Sequence, residues 1–153
     1  MGKEIEHKYL VTENWKEHVS AGTFYAQSYL ADGVPTVRVR IAGDKAYLTL
    51  KGRAEGIART EFEFEIPKED ASEIMKELSV TAVVEKTRYL VEFAGKTWEI
   101  DEFHGLNAGL VVAEVELNSE GEEFELPEWA GECVSSDFRY ANSNLAREPY
   151  SKW

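Results

Sequence analysis

The sequence predicts a mainly β fold of the α+β kind, in which a few helices pack outside an antiparallel sheet. Charged and apolar residues alternate over many short stretches, as in ARTEFEFEI at 58–66, which is typical of strands with one polar face. Turn dipeptides such as Gly43-Asp44 separate neighbouring stretches and indicate hairpins between sequential strands. Helix signals fall in only three short segments of the 153-residue chain.

Strands are predicted wherever alternating, β-branched and aromatic residues lie between turn residues. Two neighbouring pairs should form hairpins, one around Gly43-Asp44 and the other around Ala94-Gly95. The eight predicted strands cover residues 3–11, 24–31, 37–42, 45–51, 58–66, 83–93, 96–103 and 110–118.

Three helices are predicted from capping residues and apolar spacing. Thr12 is the expected N-cap of a short helix at 13–19, and Ser136 or Asp137 should begin another at 135–146. Pro67 fits the first turn of a helix that runs to about residue 78. This last helix carries an apolar stripe that should dock on the sheet, formed by Ala71, Ile74, Met75 and Leu78.

Length and composition limit the functions that the protein can have. The 153 residues fit a single domain at 1–153, large enough to bury a core without disulfides. The 17 basic and 29 acidic residues give a net charge of −12, which argues against a general binder of nucleic acid or anionic membranes. Cys133 is the only cysteine, and the sequence shows neither a signal peptide nor a membrane-spanning apolar run. We therefore expect a cytoplasmic protein.

Charged residues recur on one face of strand after strand, while the opposite faces are mostly apolar. One charged face usually meets solvent, but the recurrence favours a sheet that closes on itself and encloses the charges, with helices covering apolar positions from outside. About eight antiparallel strands leave room inside for one small ligand. The enclosed set would combine Glu4, Glu6, Glu61, Glu63, Asp101, Glu114 and Glu116 with Lys8, Arg38, Arg40, Lys51, Lys86 and Arg88.

An interior of this composition suits a highly charged ligand, because buried charges are costly unless partners, metal ions or water compensate them. Carboxylates are preferred ligands of Mg²⁺ and Mn²⁺, whereas arginine and lysine bind phosphate oxygens. The seven acids and six bases would become net positive with two divalent ions bound. An inorganic triphosphate, with on the order of four negative charges, would then nearly balance the site.

Short motifs with this chemistry occur along the whole chain. They begin with Glu4-x-Glu6-x-Lys8 and continue with VRVR at 37–40, LTLKG at 48–52, EFEFE at 61–65, EKTRY at 85–89, EIDEFHG at 99–105, AEVEL at 113–117 and SDFRYANSNLA at 136–146. In kind and order the series resembles the CYTH family, the triphosphate tunnel metalloenzymes. The ordered series is far more specific than any single motif in it.

This resemblance implies a closed eight-stranded antiparallel β-barrel, a tunnel that binds a linear triphosphate and one or two divalent ions, Mg²⁺ or Mn²⁺. It assigns the first ion to Glu4, Glu6 and Glu116. By the same resemblance, the residues that would hold or orient a second ion and the attacking water are Glu61, Glu63, Asp101 and Glu114. The expected phosphate-binding residues are Lys8, Arg38, Arg40, Lys51, Lys86 and Arg88, with Arg139 closing one end of the tunnel.

The resemblance also implies a proton acceptor. Tyr29, in QSYL, stands where short bacterial members carry a tyrosine with that role, although Ser28 precedes it where those members often have glycine. Lys8, Glu61 and Glu63 complete the expected catalytic set. A phenol with an ordinary pKa near 10 needs a neighbouring cation or metal to act as a base at neutral pH. A tyrosine that only packs at the rim is the alternative.

The function expected from these residues is metal-dependent hydrolysis of a triphosphate, with inorganic tripolyphosphate as the leading substrate. Nucleoside and thiamine triphosphates remain open as substrates, as does class IV adenylate cyclase activity, for which no purine pocket is identifiable in the sequence. A non-catalytic module that binds polyphosphate or nucleotide is less consistent with seven carboxylates. Neither nucleic acid nor a membrane is expected as a partner, and a monomer and a homodimer are both open.

Overall fold

The computed structural model describes residues 2–153 and places their strands in one antiparallel sheet. All eight predicted strands form, and a short ninth strand, which the sequence did not predict, follows them. Over these residues the strands are β1 (Lys3–Val11), β2 (Thr23–Asp32), β3 (Thr36–Ala42), β4 (Lys45–Glu55), β5 (Ala58–Ile66), β6 (Val84–Phe93), β7 (Lys96–Phe103), β8 (Val111–Glu116) and β9 (Ala130–Cys133).

The sheet closes on itself because β1 pairs with β5 as well as with β8. The order around the barrel is β1, β8, β7, β6, β2, β3, β4 and β5, and Lys3 to Ile5 face Thr60 to Ala58 across the closing pair. Strand β9 lies outside this cycle and pairs with the C-terminal part of β1. The prediction of a mainly β fold with a closed eight-stranded antiparallel barrel is therefore confirmed.

Helix α1 (Lys68–Leu78) follows Pro67, as predicted, and packs on the outside of β2, β3 and β4. Ala71 is fully buried, and Ile74 and Met75 contact the apolar cluster beneath the helix. Leu78 was expected in the same stripe but is 58% exposed, because the helix ends at this residue and Ser79 is already extended. The apolar stripe is therefore one residue shorter than predicted.

The outer face of β5 is less covered than we expected. Phe62 and Phe64 point away from the tunnel and are 46% and 56% exposed, since α1 packs mainly on β2 to β4. A different apolar cluster covers the opposite side of the barrel, where Trp15, Trp98 and Trp129 are buried. The helices thus cover the barrel unevenly.

The two other predicted helices are shorter and tighter than expected. Residues Glu13–His18 form a 3₁₀ helix, because Thr12 makes no capping hydrogen bond and the backbone of Asn14 is not helical. The C-terminal segment contains a 3₁₀ turn at Phe138–Tyr140 and a single α-helical turn, α2 (Asn142–Leu145). Two further 3₁₀ turns lie at Gly105–Asn107 and Tyr150–Lys152. No helix within residues 2–153 has the length and apolarity needed to cross a membrane.

The C-terminal segment covers one end of the barrel. Leu145 and Ala146 pack against Val84 and Phe103 at that end. The side chain of Asp137 begins the 3₁₀ turn by accepting a hydrogen bond from the backbone N–H of Arg139. This packing leaves a deep space within the barrel.

Candidate active site in the tunnel

The barrel encloses a cavity of about 910 Å³. Its lining includes most of the residues that the sequence predicted for the site, namely Glu4, Glu6, Lys8, Tyr29, Arg38, Arg40, Lys51, Glu61, Glu63, Arg88, Glu114 and Glu116. Alternate residues of each strand point inward, so one strand contributes two or three charges at spacing two. The three predicted residues that do not line the cavity are Lys86, Asp101 and Arg139.

Strand order separates the charges into two walls. The contiguous strands β5, β1 and β8 form what we call the acidic wall, whose inward carboxylates are Glu61, Glu63, Glu4, Glu6, Glu114 and Glu116. The contiguous strands β3, β2 and β6 form the basic wall, which carries Arg38, Arg40, Lys86 and Arg88. Strands β4 and β7 lie between the two walls and carry the residues that connect them.

Strand β4 connects the walls on one side through Lys51. The Nζ atom of Lys51 lies 3.1 Å from Oε1 of Glu4 and 3.3 Å from Oε2 of Glu61. Across the same strand, Arg38 donates to Oε2 of Glu63 at 3.2 Å, and the hydroxyl of Thr49 donates to the same oxygen at 2.9 Å. Both pairs join a base to carboxylates on the acidic wall.

The centre of the acidic wall holds two carboxylates close together. Burial and the neighbouring carboxylates of Glu114 and Glu4 raise the pKa of Glu6 well above its usual value, and Glu114 also shares a hydrogen bond with Glu6. Burial alone would raise the pKa of Glu114, but Lys8 and Arg88 outweigh it and lower that pKa well below the usual value. The two neighbouring acids therefore have pKa values shifted in opposite directions.

Lys8 lies beside this acid pair. Its Nζ atom is 3.6 Å from Oε2 of Glu114 and donates to the backbone carbonyl of Tyr140 at 3.0 Å. Burial would lower the pKa of Lys8, but Glu114 and Glu6 raise it overall, with a further contribution from Tyr29. Lys8 therefore stays protonated and links the acidic wall to the C-terminal segment.

Strand β7 connects the walls on the other side through Asp101, which is buried behind the cavity. Its two oxygens accept hydrogen bonds from Nζ of Lys86 at 2.7 Å, Nε of Arg88 at 2.7 Å and Nη2 of Arg88 at 2.8 Å. Lys86 and Asp101 are both 0% exposed, and burial lowers the pKa of Lys86 to about 7 despite Asp101. This geometry leaves Asp101 no free oxygen and makes it a support for Arg88.

Arg88 contacts the acidic wall and the connecting strand at once. Its guanidinium donates to Glu114 Oε1 at 3.2 Å and pairs with Glu99 at 3.2 Å, besides its two bonds to Asp101. Glu99 lies on the same face of β7 as Asp101 and was not among the predicted site residues. Its position two residues before Asp101 on one strand face was the signal for it.

Two neutral residues of the basic wall were also missed. Tyr25 lines the cavity with its ring about 5 Å from the guanidinium carbons of Arg40 (5.0 Å) and Arg88 (4.9 Å). Gln27 is fully buried and accepts a hydrogen bond from Nε of Arg40 at 2.8 Å. The available signal was the alternation in TFYAQSYL, which puts Tyr25, Gln27 and Tyr29 on one face of β2, next to VRVR.

Tyr29 lies deep in the barrel and is only 4% exposed. Its hydroxyl accepts a long hydrogen bond from Nε2 of Gln27 at 3.4 Å, and its backbone N–H is held by the hydroxyl of Thr81. The preceding residue, Ser28, points outward and hydrogen-bonds to the hydroxyl of Ser79. Serine is thus accommodated at this position without disturbing the strand.

Arg139 lies on the outside of the closing segment. It is paired with Asp137 at 2.9 Å, and its guanidinium stacks over the ring of Trp153 at 4.9 Å. The side chain is 59% exposed. In this arrangement Arg139 braces the segment that covers the end of the tunnel and does not contact the cavity.

The acidic wall is chemically suited to a divalent ion. In the portion of the chain that the structure describes, no three His, Cys, Asp or Glu side chains already converge as a metal-binding group; the acids contact bases instead. Burial and the carboxylates of Glu114 and Glu4 raise the pKa of Glu6, and a bound cation would stabilise its carboxylate form. Oxygen ligands of this kind fit a hard ion such as Mg²⁺ or Mn²⁺.

Comparison with known proteins adds independent information. Residues 2–150 match the model of the CYTH domain. An inorganic triphosphatase from Acetivibrio thermocellus is 47% identical over 154 residues, covering 100% of this chain and 99% of that protein. One from Nitrosomonas europaea is 34% identical over 148 residues, covering 94% of this chain and 96% of that protein. A solved structure of an inorganic triphosphatase has a TM-score of 0.65 at 31% identity, covering 93% of this chain and 96% of that chain.

Proposed function

Because the chain belongs to the CYTH family, we propose that it is a metal-dependent triphosphatase that hydrolyses inorganic tripolyphosphate in its tunnel. One observation carries the proposal: a cavity of about 910 Å³ inside the barrel has carboxylates on one wall and the guanidinium groups of Arg38, Arg40 and Arg88 on the other. A linear polyanion with bound divalent ions complements both walls. The reaction adds water to a phosphoanhydride bond and yields pyrophosphate and orthophosphate.

The basic residues of the tunnel would bind the phosphate oxygens. Arg38, Arg40 and Arg88 present planar guanidinium groups that can contact two oxygens each, and Lys8 and Lys51 add point charges. The buried Nε of Arg38 has no hydrogen-bond partner in the described residues. A polyphosphate oxygen would supply such an acceptor, which supports an anion beside the basic wall.

The acidic wall would hold the divalent ion. We assign this role to Glu4, Glu6 and Glu116, with Glu114 alongside. A bound Mg²⁺ or Mn²⁺ supplies charge neutralisation and polarisation of the phosphoryl group. Asp101, which the sequence also suggested as a ligand, has both oxygens engaged by Lys86 and Arg88, so we propose that it orients Arg88 instead.

Proton transfer would involve the tunnel wall near Tyr29. Tyr29 lines the cavity, and its hydroxyl accepts a hydrogen bond from Nε2 of Gln27 at 3.4 Å. Glu61 and Glu63 line the same cavity and can accept hydrogen bonds from water. We propose that these carboxylates orient the attacking water while Tyr29 accepts its proton.

The working compartment that we propose is the cytoplasm. Cys133 is exposed and unpaired within the described chain, a state that a reducing compartment preserves.

The direct test is phosphate release from tripolyphosphate by the purified protein. We expect activity with Mg²⁺ or Mn²⁺ and its loss in excess chelator; full activity in chelator would contradict the proposal.

Incubation with ATP and Mn²⁺ separates the cyclase alternative, because a hydrolase yields ADP and orthophosphate whereas a cyclase yields cyclic AMP and pyrophosphate. Formation of cyclic AMP would identify a different reaction in the same tunnel.

A further inference from the structure

Arg40 differs from the other predicted tunnel bases in its partners. Within residues 2–153, Lys8, Arg38, Lys51, Lys86 and Arg88 each form an ion pair with a carboxylate. Arg40 forms none there, although it is inside the barrel and lines the cavity. Burial, together with Arg38 and Arg88, lowers its pKa to about 10, so it remains charged at neutral pH.

Two uncharged side chains of β2 hold Arg40 in place. The side-chain oxygen of Gln27 accepts from Nε of Arg40 at 2.8 Å, and the ring of Tyr25 lies 5.0 Å from the guanidinium carbon. The same ring faces Arg88 at 4.9 Å. An aromatic face attracts a cation without neutralising it, so Tyr25 can hold two like charges near each other.

We propose that Tyr25 and Gln27 are positioning residues that keep Arg40 in place without neutralising it, so that its full charge is available to a phosphoryl oxygen. This inference rests on the proposed function, since it assumes a polyphosphate in the tunnel. A base already paired with a carboxylate gives up part of that interaction when an anion binds. Arg40 has no such interaction to lose.

The neutrality of Gln27 is the critical feature. A glutamate has nearly the same shape but would place a full negative charge 2.8 Å from Nε of Arg40, where glutamine now accepts. Such a pair would satisfy Arg40 in the empty protein and compete with substrate, because charge-assisted hydrogen bonds are roughly twice as strong as neutral ones. The residue is fully buried, so solvent would screen the pair little.

The first experiment compares Gln27→Glu with the wild type by calorimetric binding of tripolyphosphate in chelator and by steady-state kinetics with Mg²⁺. We expect the dissociation constant and KM to rise about tenfold or more, and the melting temperature to be unchanged or higher. A merely structural role would leave KM unchanged in a stable variant. Asn14→Asp, an exposed amide-to-acid change, is the matched control and should behave like the wild type.

The second experiment addresses Tyr25. We expect Tyr25→Leu to raise KM several-fold, and Tyr25→Phe, which keeps the aromatic face, to restore most of the lost affinity. In an Arg40→Ala background, Gln27→Glu should have little further effect on binding, because its target is gone. A persistent tenfold loss there, or binding by Gln27→Glu within twofold of the wild type, would overturn the inference. Wild-type binding without phosphate release would refute only the hydrolase function; no binding either with or without Mg²⁺ would refute both.

Discussion

The acidic and basic walls of the tunnel differ in how their charges are balanced. On the acidic wall the carboxylates crowd one another, and burial with neighbouring acids raises the pKa values of Glu6 and Glu61. On the basic wall Asp101 pairs with both Lys86 and Arg88, Tyr25 faces Arg88 and Arg40, and Gln27 accepts from Arg40. The acidic wall thus brings carboxylates close to one another, whereas the arginines of the basic wall are held by hydrogen bonds and by the ring of Tyr25.

This difference indicates how one tunnel could accept ligands of opposite sign. A divalent ion would relieve repulsion among the acids, while a polyphosphate would meet guanidinium groups that are already oriented. Strand order makes the separation possible, because each wall consists of three adjacent strands. The walls should therefore respond differently to the loss of a single charge.

The largest effect is expected on the acidic wall. Glu116 faces Glu6 across β1 and β8, and we expect Glu116→Gln or Glu4→Gln to lower turnover by about a thousandfold or more, since metal stabilisation is worth several kcal/mol. Both variants should stay folded. Phosphate release and thermal melting measure the two quantities. Glu85→Gln, an exposed change on the outer face of β6, is the matched control, and an active Glu116→Gln enzyme would remove that residue from the site.

The next effect separates two arginines of the basic wall. We expect Arg40→Ala to cost about 2 to 4 kcal/mol in kcat/KM with little change in melting temperature, because it leaves no carboxylate unpaired. Arg88→Ala should lose activity and also about 1 to 3 kcal/mol of stability, since it removes one of the two cations paired with each of the buried Asp101 and Glu114. Equal melting temperatures for the two variants would contradict the distinction, as would near-wild-type kinetics for both.

A smaller effect tests whether the two walls act on one ligand. We expect a non-hydrolysable triphosphate and Mg²⁺ together to stabilise the protein by about 2.7 kcal/mol at a hundredfold excess over Kd, or roughly 5 to 10 °C in the melting temperature. Each alone should do much less. Additive shifts in the four melts, with neither, either or both ligands, would mean that the metal and the phosphate bind apart.

The smallest effect concerns the empty tunnel. The pKa of Glu6 is raised in the folded state, so the stability linked to this group is present at low pH and is lost as pH rises through the folded pKa. Glu6→Gln removes that loss and should stabilise the metal-free protein by about 1 kcal/mol, roughly 2 to 4 °C, at pH 8. At pH 5 the gain should shrink. Thermal melts of the wild type and Glu6→Gln at both pH values measure this gain. A larger gain at pH 5 would mean that folding lowers the pKa of Glu6.

Much of the fold was readable from the sequence, because strand alternation is a local property. Residues 58–66 alternate without a break and form β5 with the predicted bounds. Strand β9 was missed because it has four residues and pairs with β1, far away in sequence. The exposure of Phe62 and Phe64 could not be predicted, since it depends on which strands α1 covers in the folded protein.

The site residues were likewise predictable where strand alternation decides their position, and not where tertiary contacts do. Alternation correctly assigned Glu4, Glu6, Arg38 and Arg40 to one inner surface, which the cavity lining confirms. It could not distinguish a residue that lines the cavity from one that lies behind it, as with Asp101, because both point inward from their strands. Nor could charge patterns reveal Gln27, whose role depends on its contact with Arg40.

The closing strand β1 has a consequence for biosynthesis. It precedes all its partners along the chain and pairs with residues 58–60, 112–116 and 130–133, so these partners emerge from the ribosome well after it. At about 5–20 residues per second the first strand waits several seconds for its last partner. Barrel closure is therefore essentially post-translational, and long-range pairing of this kind makes folding slow. Strand β1 carries two lysines and two glutamates among residues 3–8, and charged side chains of this kind limit edge-to-edge aggregation of an unpaired strand.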